Sequence, residues 1–298
     1  MSAVTVDAGV PARTRNARSP LSVLAAVEAA RFARHPVFLF TTAVMVYTSY
    51  KVYADSYANR TVAGLELTLG PAWWVGLGGM LVAYRLTRST RRADEAVAGV
   101  PADEPTRTAA LLIACLVPFA VAMLYTVQVL VAWHVEPMTW TTGWDHWSAA
   151  ERDAMLVAGA LAGLGGPVLG VCLGRWWRWP GASLLATVVL VAWAILTAAP
   201  WDSKLGNVWH MSSPFVLWYS GTNSDPTLDV LGGSPVLRLL YLLALIGLAA
   251  TTALLHGASG DTHVVLRRTF RGFVVAAVAT LLLAALVGPD FVTVPGRG

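Results

Sequence analysis

The chain has 298 residues, of which 56% are hydrophobic and 13% are charged, and its formal net charge at pH 7 is +4. A soluble globular domain has about 25% charged residues, so this chain has too few to cover a water-facing surface of its size. The composition therefore excludes a disordered chain, a coiled coil, a disulfide-rich scaffold and an ordinary soluble enzyme. It predicts an all-α protein that crosses a membrane several times.

Residues 1–19 are polar and lack the apolar run and cleavage site of a signal peptide, so we expect a disordered cytoplasmic tail. Ser19 and Pro20 predict the start of a helix, because a capping hydroxyl is often followed by proline at the first helical position. This helix is expected to cover residues 20–35.

The predicted helix at 20–35 has a charged face beside an apolar stripe. Glu28, Arg31 and Arg34 share the charged face, and the segment is too polar to span a membrane. Such a helix is typical of the membrane interface. Pro36 is expected to end or kink it before the first span.

Seven apolar stretches are long enough, or nearly so, to cross a membrane, whose hydrocarbon core of about 30 Å takes about 20 helical residues. They cover residues 36–53, 67–86, 109–133, 154–174, 182–200, 235–255 and 272–289. Lipid offers no hydrogen-bond partner to a backbone amide, so each stretch is expected to be helical. Residues 36–298 are thus predicted to form a transmembrane domain of about seven helices.

The 21 lysines and arginines predict the orientation of these spans. Six of them fall on one side, and these are Lys51, Arg60, Arg152, Lys204, Arg238 and Arg297. The other 15 fall on the opposite side, which is therefore the cytoplasmic one. We expect a multi-pass protein of the plasma membrane with its amino terminus in the cytoplasm. The net positive charge is explained by the arginines on the cytoplasmic side, so we predict no nucleic-acid partner.

Two loops between the predicted spans are long. The cytoplasmic loop over residues 85–108 mixes arginines with carboxylates and has two interpretations, a solvated connector or a docking surface for a soluble partner. The outer loop over residues 201–234 is rich in aromatic residues, and we expect short surface helices in it.

Glycines recur along the predicted fourth span at spacings that give one helix face small residues. They are Gly159, Gly163, Gly166, Gly170 and Gly174. Such a face lets another helix approach closely. The pattern therefore predicts packing within this chain, or else a contact with a second copy or with a moving element.

The predicted spans lack the residues that carry most membrane chemistry. None has Asp, Glu, Lys or Arg in its central part, whereas ion-driven transporters keep such charges for coupling. The chain has no Walker A motif, so any ATP would be hydrolysed by another chain. Cys115 and Cys172 lie in apolar runs, and no histidine is central in a span. We therefore predict no catalytic, cofactor or metal site and no enzymatic activity in this chain.

Three segments resemble the permease subunits of bacterial type-2 ABC transporters. Segment 27–39, VEAARFARHPVFL, resembles that family's amphipathic elbow helix, which runs through a proline into the first span. Segment 102–112, ADEPTRTAALL, is similar to the exit from the cytoplasmic loop into the third span. Segment 233–241, GSPVLRLLY, resembles the beginning of a late span.

The resemblance implies a membrane unit of two permease chains, identical or different, with two ATPase subunits beneath them. It implies that residues 20–35 are the elbow helix and that the loop at 85–108 couples the chain to the ATPase, which binds ATP and Mg²⁺. The coupling residues would be Arg91, Arg92, Asp94, Glu95, Pro101, Asp103 and Glu104. The family's core has six spans, so the seventh predicted here is a departure from it.

Under this interpretation the chain is part of an exporter with lipid-like or amphipathic cargo, because its gate would be apolar. Tyr125, Thr126 and Gln128 in the third span are candidates for a cavity wall, although ordinary hydrogen bonds between helices also explain them. Two other functions stay open. One is an integral membrane enzyme or assembly factor that handles a lipid or a quinone, and the other is a structural membrane subunit.

Overall fold

The computed structural model describes residues 19–59, 69–96, 103–135, 147–198, 203–216, 218–220, 227–230, 232–290 and 292–295. Within these ranges the α-helices are α1 (Pro20–Ala33), α2 (Pro36–Asn59), α3 (Gly78–Ala96), α4 (Glu104–Ala114), α5 (Leu116–Val135), α6 (Ala149–Trp176), α7 (Ala182–Thr197), α8 (Lys204–Met211), α9 (Pro235–Leu255) and α10 (Gly260–Val287). A π-helical segment, Pro71–Leu77, leads directly into α3. The predicted tail over residues 1–18 lies outside the described residues.

Four helices in the described part of the chain are long and apolar enough to cross a membrane. They are Glu104–Ala132, Ala149–Trp176, Pro235–Leu255 and Gly260–Val287, and they match the third, fourth, sixth and seventh predicted spans. The helical membrane character predicted from composition is thereby confirmed. The fifth predicted span is the shorter apolar helix α7. The first and second are helical but are not among these four, so a total of seven spans stays a prediction.

The third predicted span is helical on both sides of a break. Helix α4 ends at Ala114, Cys115 forms a turn, and α5 continues from Leu116. The break lies close to Pro118, which has no N–H to donate and whose ring crowds the carbonyl group of the preceding turn. The helical path continues across the break, because the Cys115 amide donates to the Leu111 carbonyl oxygen at 3.2 Å.

Helix α6 is the centre of the described bundle and packs against the π-helical segment, α3, α5 and α9. Two of its glycines face the backbone of a neighbour. A Cβ atom at Gly166 would overlap the carbonyl group of Gly76, and one at Gly170 would overlap that of Met80. The glycine row therefore serves packing within this chain, the first of the uses predicted from its spacing.

A small antiparallel sheet is an exception to the predicted all-α fold. Strands β1 (Tyr219–Ser220), β2 (Thr227–Val230) and β3 (Val292–Pro295) pair in the order β1-β2-β3. The predicted outer loop at 201–234 thus holds one short helix, α8, and two strands in its described part. The sheet pairs this loop with residues beyond the last helix, a contact that no local sequence pattern indicates.

The bundle has two ends, which we name by the elements found there. The α1 end is where α1 meets α3 and α4, near the last turns of α6 and α9. The sheet end holds α8, the sheet, and the contact of Met211, Trp147 and Ala284 in one apolar cluster.

We predict that Gly170→Ala lowers the free energy of unfolding by about 1–3 kcal/mol, because the added methyl group forces α6 and α3 apart. The measurement is unfolding of the purified protein in detergent, followed by circular dichroism. The matched control is Gly165→Ala on the same helix, where the added Cβ would meet Ile246 at 3.4 Å, an ordinary contact. We expect a change within about 0.5 kcal/mol for this control. Equal stability of the two variants would contradict the close packing.

Candidate functional site

An arginine joins helix α1 to the polar continuation of α3. Arg31 donates through Nη1 to both carboxylate oxygens of Glu28, at 2.8 and 3.0 Å. Its Nη2 donates to the Ser89 hydroxyl oxygen at 2.9 Å. Glu28 is buried, at 7% exposure, so Arg31 supplies the charge that makes this burial tolerable. Arg31 therefore links Glu28 of α1 to Ser89 of α3.

Three helices meet at one carboxylate. Asp103 caps α4 by accepting the Thr106 amide at 3.2 Å, which fixes the first turn. Hydrogen bonds from the Thr106 side chain and from this amide lower the pKa of Asp103. The next residue, Glu104, pairs with Arg175 from the end of α6, with Oε1 3.5 Å from Nη1. The same oxygen lies 2.7 Å from Nδ1 of His256, just after α9. We call Glu104, Arg175 and His256 the Glu104 junction.

Aromatic side chains strengthen the contact between the ends of α6 and α9. The Trp176 indole donates to the Thr252 carbonyl oxygen at 2.8 Å, and its ring meets the His256 ring edge-on at 5.3 Å. The Tyr84 hydroxyl donates to the Trp179 carbonyl oxygen and thereby ties α3 to the segment after α6. Specific hydrogen bonds thus hold the last turns of α6 and α9 together and attach the second turn of α3 to the segment after α6.

His35 caps the helix that follows α1. Its Nδ1 accepts the Val37 amide at 3.2 Å, and this role requires Nδ1 to be unprotonated. Burial, together with the charge of Arg85, lowers the pKa of His35 below 6.5. The neutral imidazole that caps α2 is therefore the form that the fold favours.

The predicted coupling residues are described to different extents. Arg91, Arg92, Asp94 and Glu95 lie in the last turns of α3, which extends to Ala96 beyond the predicted start of the loop at residue 85; their side chains lie outside the described residues. Pro101 also lies outside them. Asp103 and Glu104 are at the start of α4, as given above. In the predicted interfacial helix Arg34 is exposed, and Pro36 is the first residue of α2.

The predicted cavity residues have unlike environments. Tyr125 and Thr126 are buried, whereas Gln128 is exposed. The Tyr125 hydroxyl bonds with the Ser49 side chain of α2, and the Thr126 hydroxyl has no hydrogen-bond partner among the described residues. Their role in a cavity stays a prediction.

A small cleft lies at the sheet end, between the π-helical segment, α6 and the segment after α8. Its apolar lining includes Leu69, Ala72, Met155, Ala158, Phe215 and Trp218. Phe215 stacks on Trp73 with ring centroids 5.3 Å apart, and Trp218 meets Trp147 edge-on at 5.5 Å. Packed aromatic rings thus fix one wall of the cleft.

Arg238, in the first turn of α9, contributes a cation to this cleft. Its side chain is 2% exposed. Its Nη1 donates to the Met211 carbonyl oxygen and its Nη2 to that of Ser213, each at 2.7 Å. These bonds attach the segment after α8 to α9 and hold the guanidinium in place.

Sequence reasoning did not assign roles to Ser89, Arg175, His256 and Arg238. The first three form bonds to residues 58, 71 and 152 positions away, and no local pattern indicates such pairs. Arg238 had a detectable signal, since it is the sole charged residue in the apolar run 235–255. Among the described residues, no group of His, Cys, Asp or Glu has the arrangement of a metal site.

No family model matches the sequence, and no curated protein shows significant sequence similarity to it.

We predict that Glu104→Gln lowers the free energy of unfolding by about 1–2 kcal/mol, because it removes the charge that faces buried Arg175. The loss stays below that of a fully buried ion pair, since the Glu104 side chain is 38% exposed and solvent screens it. Detergent-based unfolding measures the change. Asp261→Asn, on the exposed first turn of α10, is the control and is expected to change stability by less than about 0.5 kcal/mol. A wild-type stability for Glu104→Gln would contradict the junction.

We predict that acidification removes the stabilising cap at His35. The pKa of His35 is lowered in the folded state, so this stability is fully present above pH 6.5 and is lost as the pH falls through the folded-state pKa. The loss is expected to be about 0.5–1 kcal/mol, the size of a helix cap. His35→Asn keeps a capping side chain without titration, so its stability should fall less between pH 7.5 and pH 5. The control His263→Asn should follow the wild-type pH dependence, and identical profiles for all three proteins would contradict the role of His35.

Proposed function

We propose that this chain is the membrane-spanning permease subunit of an ATP-driven exporter of the type-2 ABC class, with its ATPase on a separate chain. The observation that carries the proposal is the bond between Arg31 and Ser89, at 2.9 Å. It attaches the helix with an interfacial sequence to the polar helical extension that holds the proposed coupling residues. A permease driven from the cytoplasm needs such a rigid connection between its elbow and the surface that the ATPase pushes.

The connection continues into the bundle. Residues 85–96 are the last part of helix α3, and a helix transmits an axial force better than a flexible loop does. Helix α1 packs on α4, whose first residue, Glu104, contacts the ends of α6 and α9. Helix α3 packs on α6 through the glycine row. A push on the end of α3 therefore has a contiguous path to the centre of the bundle.

The distribution of charge supports an external energy source. The charged residues in the four described candidate helices lie outside the predicted apolar stretches, except Arg238, which is in the first turn of α9. Those outside are Glu104, Arg107, Glu151, Arg152, Asp153, Arg175, Asp261, Arg267, Arg268 and Arg271. A carrier driven by protons or sodium usually has an ionisable group at mid-membrane. Force from a soluble ATPase needs no such group.

The proposal includes a second permease chain, an amino terminus in the cytoplasm, a plasma-membrane location and ATP with Mg²⁺ bound by the partner ATPase. It also includes the loop at 85–108 as the coupling loop and residues 20–35 as the elbow.

A second candidate function is an enzyme or assembly factor that handles a lipid or a quinone, which the sheet-end cleft favours. Arg238 is the one ionisable side chain in the described lining, so this cleft has a binding group but no acid–base pair.

Purification of the tagged chain from its own membranes in mild detergent tests the proposal. We expect a co-purifying chain with a Walker A motif. We expect the combined variant Arg91→Ala, Arg92→Ala, Asp94→Ala and Glu95→Ala to lower the amount of co-purifying ATPase chain at least about tenfold. The reason is that it removes the charged contact surface. Arg31→Ala is expected to retain the ATPase chain but to reduce the ATP turnover of the complex.

The matched control is Arg267→Ala with Arg268→Ala and Arg271→Ala, three exposed arginines on α10 that belong to the same predicted side. It should retain the ATPase chain at the wild-type amount. Two results would overturn the proposal. One is the purification of an intact complex without any ATP-binding cassette chain. The other is solute transport by the isolated chain in vesicles under a pH or sodium difference alone.

A further inference from the structure

Helix α10 has an exposed face that changes from cationic to apolar along its length. Arg267, Arg268 and Arg271 are exposed, and the 3.6-residue turn of an α-helix brings them within about 100° of one another around the axis. The exposed side chains that follow on this face are apolar, and these are Val275, Val278, Leu282 and Leu286. A short cationic band is thus followed by about three turns of hydrocarbon surface.

This face is turned away from α9, the helix on which α10 packs. Ala277 is buried in one apolar cluster with Tyr241 and Ala244 of α9. It lies about 130° around the axis from the middle of the three arginines. Asp261, a carboxylate on the same helix, lies about 9 Å before Arg267 along the axis. The three guanidinium groups are therefore presented to the surroundings of the described bundle.

The length of the apolar part relates the arginines to a membrane. Helix α10 is one of the four described helices that are long and apolar enough to cross one. From Gly272 to its end at Val287 it rises about 23 Å, which is most of the roughly 30 Å of a hydrocarbon core. When this part fills the core, the guanidinium groups just before it lie among the headgroups of one leaflet.

Helices α9 and α10 run antiparallel, which relates the heights of their residues. Ser234, just before α9, donates its amide to the Ala284 carbonyl oxygen at 2.7 Å. Further along α9, a Cβ atom at Gly247 would overlap the Phe273 ring. Thr252, five residues beyond Gly247, therefore lies near the height of the three arginines.

Tryptophans give an independent measure of this height. The Trp176 side chain donates its indole N–H to the Thr252 carbonyl oxygen at 2.8 Å, although 52% of the residue is exposed. Trp177 and Trp179 follow it and are also exposed. Exposed tryptophans favour the headgroup level of a bilayer. The tryptophans and the apolar length of α10 therefore assign the arginines to the same membrane interface.

We propose that Arg267, Arg268 and Arg271 form a binding surface for the headgroup of an anionic phospholipid, with its acyl chains along the apolar face of α10. Guanidinium groups donate paired hydrogen bonds to phosphate oxygens, and three positive charges on one face favour a headgroup with net negative charge. This inference goes beyond the proposed function, because such binding requires neither an ATPase nor a cargo.

The charge of the face favours lipid over a second copy of the chain. In a twofold dimer with its axis along the membrane normal, a surface patch meets the same patch of the other copy. Contact through this face would bring two sets of three arginines together, and like charges repel across an interface. An anionic headgroup offers the opposite charge.

Native mass spectrometry of the full-length chain in an uncharged detergent tests the inference with two probes that share their acyl chains. Dioleoyl phosphatidylglycerol has an anionic headgroup, and dioleoyl phosphatidylcholine has no net charge. We expect the first to bind at least about tenfold more tightly. The measurement also reports whether the chain is a monomer or a dimer.

Two variants of α10 separate charge from folding. The combined variant Arg267→Gln, Arg268→Gln and Arg271→Gln is expected to reduce the ratio of the two affinities at least about fivefold. Its fold should be unchanged, because the three side chains are exposed. The combined variant Arg267→Lys, Arg268→Lys and Arg271→Lys keeps the charge and is expected to stay within about twofold of the wild-type ratio.

The control for net charge is the combined variant Arg13→Gln, Arg15→Gln and Arg18→Gln, which removes three charges from the amino-terminal segment. It should keep the wild-type ratio. Three results would overturn the inference: equal binding of the two lipids by the wild-type chain, a wild-type ratio in the α10 glutamine variant, or the same reduction in the amino-terminal variant.

The other occupants of this face have their own signatures. A wild-type dimer that the glutamine variant of α10 dissociates, with no change in the lipid ratio, would assign the face to a second copy and overturn the inference. These measurements use the chain without an ATPase, so their failure is separate from a failure of the proposed function. Equal lipid binding together with a co-purifying ATPase chain would reject the lipid surface and leave the permease proposal standing.

Discussion

The backbone contact between α6 and the helix formed by the π-helical segment and α3 is the constraint on which the rest of the structure depends. Because glycines at 166 and 170 remove the side-chain layer, the two helices meet carbonyl group against Cα. This contact positions one end of α3 beside α1, and both Ala72 and Ala158 line the cleft. The proposed coupling surface and the cleft therefore belong to one rigid pair of helices.

The buried arginines at the two ends of the bundle have different partners. At the α1 end Arg175 meets Glu104, and the His256 ring contacts the same carboxylate. At the sheet end Arg238 meets only backbone carbonyl groups among the described residues. Among the described residues, the two buried arginines are thus held differently, one by a carboxylate and the other by backbone carbonyl groups.

The local sequence predicted those features of the fold that depend on residues close together in the chain. Ser19 caps α1, Pro36 begins α2, and the four long apolar helices lie where hydropathy placed them. These features follow from effects within one turn or from length alone. Sequence missed the extension of α3 to Ala96, because the polar composition there was interpreted as a loop. It also missed the Glu104 junction and the cation in the cleft, because their partners come from distant segments and burial depends on tertiary packing.

The sheet has a consequence for the order in which the molecule is made. Strand β2 pairs with β3, and residues 292–295 leave the ribosome after every helix described here. The complete sheet therefore cannot exist while the helices are being inserted one after another into the bilayer. Since β1 follows directly after Trp218, the region around the cleft is completed only after translation has passed the last helix.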